Sequence, residues 1–188
     1  MRLQVFIYII CVIALSSTVH AQTQTSNKEP PAVANITQKQ FGDWSYRCAR
    51  PYGKTSGAAT CELAQSVRIE RDGKLIEVVN LAVSRAKDKA GKVAWALVAV
   101  TPLDVHLPSK FGVSVGKTTV TTAPYRNCNR LGCWAVVPLE ASILKQFEAQ
   151  KEAAALFRVL DGKTVRIVFS LKGFTKGFRA LKGGKVPK

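Results

Sequence analysis

The sequence predicts a mainly β fold. Beyond Phe41, apolar and polar residues alternate with a period of two over most of the chain. Turn-forming clusters of Gly, Pro and Asp separate these runs. A single segment switches to helical spacing.

The first residues read as an export signal over 1–21. Arg2 supplies a positive start, an apolar run follows from Val5 to Leu15, and Val19-His20-Ala21 suits cleavage after a small residue. The run is shorter than the roughly 20 apolar residues of a membrane-crossing helix. Residues 22–40 are rich in Gln, Thr, Asn and Pro and have no period. They bury too little apolar surface to offset the entropy of ordering, so a disordered leader is expected there. A β-domain is expected over 41–181 and a basic tail over 182–188.

Within the domain, strands are expected near 43–48, 61–70, 74–84, 92–101, 113–122, 132–138 and 164–172. Trp44, Tyr46 and Cys48 share one face, and Cys61, Leu63, Val67 and Ile69 share another. Arg71-Asp72-Gly73-Lys74 is a tight-turn signal between two strands. Val93 to Thr101 is nearly continuous in apolar residues, which suits a central strand. Between Leu139 and Phe157, the residues Leu139, Ile143, Leu144, Phe147 and Ala154 recur at helical spacing, so a helix is expected within 139–157. Many short strands, frequent turns and one helix make an immunoglobulin-like β-sandwich with one short amphipathic helix the expected architecture.

Behind the signal, four cysteines remain, in two close pairs. An even count in an exported chain reads as a disulfide framework in an oxidising compartment. Local pairing, with Cys48 and Cys61 on apolar faces of successive strands, favours Cys48–Cys61 and Cys128–Cys133. The separations do not match the paired Cys-x-x-Cys knuckles of structural zinc sites, and no metal or cofactor is expected. Use of Cys128 and Cys133 as a redox dithiol stays open, although that chemistry normally employs Cys-x-x-Cys at a helix start.

The net charge is +16 and the isoelectric point about 10.0. Between Arg158 and Lys188, nine bases face a single acid, Asp161. Lys172, Lys176, Arg179, Lys182, Lys185 and Lys188 recur every three or four residues among glycines. Such a run attracts polyanions such as an anionic membrane surface or lipopolysaccharide; a solubilising tail is the other reading. The glycines argue against a rigid helical face there. Phe174 and Phe178 read as anchors docking this segment, with stacking platforms as their other use.

Catalytic signals are sparse. His106 is the histidine left behind the signal, two residues after Asp104, and no Gly-x-Ser-x-Gly elbow supplies a nucleophile. Gly116-Lys117-Thr118 lacks the earlier glycine that a phosphate-binding loop needs. The residues therefore favour a non-enzymatic protein. The alternative is an envelope enzyme or thiol-redox factor using His106 or Cys128 and Cys133.

Several strings together resemble the invasion-associated locus B family of bacterial exported proteins. They are Phe41-Gly42-Asp43-Trp44 with Cys48, Cys61-Glu62-Leu63, Pro102-Leu103 with Gly112-Val113, Cys128 with Gly132-Cys133, and Leu171-Lys172-Gly173-Phe174. The chain reads Pro102-Leu103-Asp104 where members often carry Pro-Leu-Gly. The resemblance implies a periplasmic, outer-surface or secreted β-sandwich with two disulfides. For some members it implies host-cell association, a virulence trait. No catalytic residues carry over. The expected partners are an anionic surface or an envelope or host surface protein, rather than nucleic acid.

Overall fold

A computed structural model describes residues 35–50, 59–88 and 90–187. The expected export signal, the leader before Asn35 and Lys188 lie outside the described residues. The strands are β1 (Asn35–Phe41), β2 (Trp44–Arg50), β3 (Thr60–Arg71), β4 (Lys74–Lys87), β5 (Val93–Thr101), β6 (Phe111–Val115), β7 (Thr118–Ala123), β8 (Tyr125–Asn129) and β9 (Gly132–Pro138). After them come α1 (Ala141–Ala149), β10 (Glu152–Arg158), β11 (Thr164–Ser170) and α2 (Phe174–Gly183). They form two antiparallel sheets, ordered β1-β2-β3-β4-β5-β9-β8 and β11-β10-β6-β7.

The period of two sets the core. Trp44, Tyr46 and Cys48 point inward from β2; Val79, Leu81 and Val83 from β4; Cys133, Ala135 and Val137 from β9. Phe111 and Val113 of β6 and Phe169 of β11 join the same core from the smaller sheet. The β3–β4 turn carries Asp72 and Gly73 at φ 53° and 71°, the left-handed pair that a two-residue hairpin turn requires. Cys48 opposes Cys61 across β2 and β3, and Cys128 opposes Cys133 across β8 and β9. Both pairs are bonded, with Cα atoms 4.0 Å apart.

The architecture departs from expectation at five places. First, residues 35–40, expected as part of a disordered leader, form β1. It pairs along its whole length with β2, from Asn35↔Arg50 to Phe41↔Trp44. As an edge strand it keeps polar side chains, which hides it from a hydrophobicity pattern. Second, the strand expected over 113–122 is the hairpin β6–β7, broken at Gly116 with φ 59°. Third, the helix expected within 139–157 forms as α1, but the segment after it is not helical. Gln150 turns extended (ψ 161°), and β10 follows. Its Ala153, Ala154 and Ala155 favour helix by propensity, but all three are buried in a strand between β11 and β6. Fourth, β8 is a further edge strand, largely exposed. Fifth, a second helix, α2, occupies the glycine-rich basic segment, and the expected tail begins inside it.

The glycines explain α2 rather than oppose it. Gly173 (φ 88°) precedes the helix, and Gly184 (φ 65°) ends it by donating to the carbonyls of Ala180 and Leu181. Gly177 lies mid-helix because a Cβ there would collide with Leu63. The helix thus packs directly on β3 there, and a larger residue at 177 would have to displace the Leu63 side chain.

The two ends of the described chain interlock through their turns. Asp43 N–H donates to Lys172 O (3.0 Å), and Trp44 Nε1 donates to Ser170 O (2.8 Å). Gln65 Nε2 donates to both Asp43 O (3.0 Å) and Ser170 O (3.2 Å). Gly42 (φ 57°) and Gly173 approach back to back. A Cβ on Gly42 would strike Lys172 O, and one on Gly173 would strike Phe41 O. Phe174 then enters the core, with ring centroids 5.3 Å from both Trp44 and Phe147 in edge-to-face contact.

Gly173→Ala combines a left-handed backbone with a backbone collision. Urea unfolding should show a loss of more than about 2 kcal/mol. Gly183→Ala, at a helical position where a Cβ meets nothing within 4 Å, should be neutral or stabilising. Replacing Cys48 and Cys61 together by Ala should cost about 3 kcal/mol in the chain-entropy account. The Cys128–Cys133 loop is shorter, so its removal should cost less.

Candidate functional site

The sequence candidates separate in space. His106 lies in the loop between β5 and β6, half-buried. Its backbone N–H donates to Arg158 O (2.8 Å), and its Nδ1 lies 2.7 Å from Ser109 Oγ. Its hydrogen-bonded neighbour is thus the serine three residues on, within the same loop, whose N–H in turn donates to His106 O. Asp104 instead offers its backbone carbonyl to Leu160 N–H. This arrangement ties the loop to the β10–β11 turn. Cys128 and Cys133 are joined across the β8–β9 hairpin, with Cys133 buried.

The basic residues are more informative. α2 turns Phe174, Gly177, Phe178 and Leu181 inward and its charges outward. Phe174 and Phe178 are buried and stacked on each other (centroids 5.6 Å, planes 10° apart), so they dock the helix. Lys176 and Arg179 stand three residues apart and, with Ala180 and Gly183, form one helical face. That face borders a groove of about 950 Å³ whose far bank is β1. Lys39 projects from β1 and Lys185 from the segment after α2, so four cations line the groove. The ion pairs among the described residues, Arg47–Glu62, Arg71–Asp72 and Lys163–Asp161, all lie elsewhere.

The remaining basic candidates stand apart from it. Lys182 Nζ sits 5.7 Å from the Phe178 ring centre, over its face. Beyond Phe178 stands Trp95, 5.0 Å away edge-to-face, with Arg85 over its ring. Lys172 belongs to the interlocked turn. Residue 188 lies outside the described residues.

Residue 39 was missed by the sequence reading because it fell in the supposed leader. The signal that could have found it is Lys39 and Phe41 at strand spacing just before the Gly42-Asp43 turn. The two do share a face, with Lys39 Nζ 5.6 Å from the Phe41 ring centre.

The groove also has an apolar side. Phe41, Tyr46, Val186 and Pro187 contribute to its lining. Tyr46 is 2 % exposed, and its hydroxyl donates to Lys185 O (2.9 Å). Burial pushes the phenol pKa up, and nearby Arg85 partly opposes this. The phenol thus stays neutral and remains a donor at physiological pH. It pins the segment after α2 as a fixed wall.

Residues 44–182 match the family model described as Invasion associated locus B (IalB) protein. Among solved structures, the chain is similar to that of invasion associated protein B from Bartonella henselae. The likeness has a TM-score of 0.61 at 16 % identity and covers 78 % of this chain and 96 % of that one. At that identity it speaks for the fold. No curated protein sequence gives a match.

Tyr46→Phe keeps the packing and removes one hydrogen bond. It should cost about 1 kcal/mol in thermal unfolding. Amide exchange at Val186 should quicken more than in β2.

Proposed function

The chain belongs to the invasion associated locus B family, and we propose that it acts by binding rather than by catalysis, holding an anionic envelope or host-cell surface after export. The observation that carries this reading is the groove between α2 and β1, where Lys39, Lys176, Arg179 and Lys185 gather away from the ion pairs of the described residues. Unmatched cations on one side of a molecule create a field that draws in polyanions. Two disulfides suit work in an oxidising space, periplasmic, outer-surface or secreted. Among the described residues no helix is long and apolar enough to cross a membrane. The interlock of His106 with its own loop supports a structural role for that residue. Membership in an invasion-associated family supports host-cell association as the setting.

Attraction of this kind adds up at about 1 kcal/mol per basic group near an anionic membrane surface. It weakens as salt shortens the Debye length to about 8 Å at physiological strength. The exported protein should therefore bind vesicles containing phosphatidylglycerol, and heparin, at low salt, and release them as salt rises. Neutral phosphatidylcholine vesicles should not retain it. Replacing Lys176, Arg179 and Lys185 by Gln should weaken vesicle binding roughly a hundredfold, from about 3 kcal/mol lost. All three side chains are exposed, so the melting temperature should barely move. A protein that ignores both anionic surfaces at low salt would overturn the reading.

A further inference from the structure

Resting on that reading, we propose that the α2–β1 groove binds one molecule of a phosphorylated lipid, with its phosphate among the cations and its alkyl chain along the apolar wall. The groove is built of two kinds of surface. Lys39, Lys176, Arg179 and Lys185 supply charge; Phe41, Val186 and Pro187 supply apolar contact. A purely polar polyanion would leave the apolar wall unused. A simple fatty acid would bring one negative charge to four positive ones. A phosphate monoester brings close to two charges and three acceptor oxygens. The guanidinium of Arg179 presents a planar fork that matches such oxygens in pairs.

Size and rigidity agree with this. About 950 Å³ lies within the range of small-ligand clefts, roughly 300–1,000 Å³. The walls are a paired β-strand, a packed helix and a segment held by the Tyr46–Lys185 hydrogen bond. A site formed this way loses little freedom on binding. One effect opposes an anion: the C-terminal end of α2 carries about half a negative charge. The Ala180 and Leu181 carbonyls already accept from Gly184 N–H, and four full positive charges outweigh that half charge.

The test is calorimetric titration of the exported protein with dihexanoylphosphatidic acid, kept monomeric, at physiological salt. Inorganic phosphate and dihexanoylphosphatidylcholine are the controls. The phosphatidic acid should bind at least about tenfold more tightly than either control, since each half of the site contributes. Arg179→Gln should weaken it about tenfold, as expected for one lost charged hydrogen bond. Val186→Asn should weaken it by a larger factor than it weakens heparin binding, which separates the apolar wall from the charge. Equal affinity for phosphatidic acid and inorganic phosphate would overturn the inference, and so would indifference to Arg179→Gln. If vesicles and heparin still bind in that case, only the lipid site falls. If they do not, the surface-binding reading falls with it.

Discussion

The close approach of two glycines, Gly42 and Gly173, holds this structure in register. One lies in the first hairpin turn and the other just before the last helix. Both have left-handed backbones, and each leaves no room for a Cβ against the other's strand end. Their contact lets Asp43 N–H reach Lys172 O and lets Trp44 donate across the sandwich to Ser170 O. Burial follows from that geometry. Trp44 meets Phe169 and Phe174, and Phe174 meets Phe147, so β2, β11, α1 and α2 share one aromatic cluster. Rings of this kind bury large areas and prefer the edge-to-face contacts seen here.

The functional surface is a consequence of the same contact. Docking Phe174 sets the start of α2, and Gly177 lets the helix settle against Leu63. With the helix axis fixed, Lys176 and Arg179 face β1 while Phe178 faces Trp95. Tyr46, buried beneath, then holds Lys185 at the groove's edge. The basic composition of the last residues alone would permit a diffuse tail. Packing turns part of it into a groove with two chemically distinct sides.

The two-sheet architecture was legible because a period of two survives wherever one face of a strand is buried and the other wet. The inward cysteines of β2 and β3 belong to that same pattern. Three failures have separate physical causes. β1 and β8 are edge strands whose polar side chains carry no burial signal. β10 is rich in alanine, a helix former, but a strand between two neighbours with little space needs small side chains. The glycines of 173–184 look like helix breakers in isolation, yet three of them (Gly173, Gly183 and Gly184) sit at helix ends and Gly177 packs directly on the Leu63 side chain. Of the candidate site, the charge was visible in sequence. The bank formed by Lys39 and Phe41 was not, because it required knowing that β1 lies beside α2.

Native-state amide exchange of α2 tests most directly whether the glycine contact fixes this helix to the sandwich. The account predicts that the amides of Phe178, Ala180 and Leu181 exchange only through global unfolding, with the same protection as the β4 core. It also predicts that Gly173→Ala lowers their protection before that of β4. Fast exchange of α2 in the unaltered protein, independent of core opening, would contradict the account.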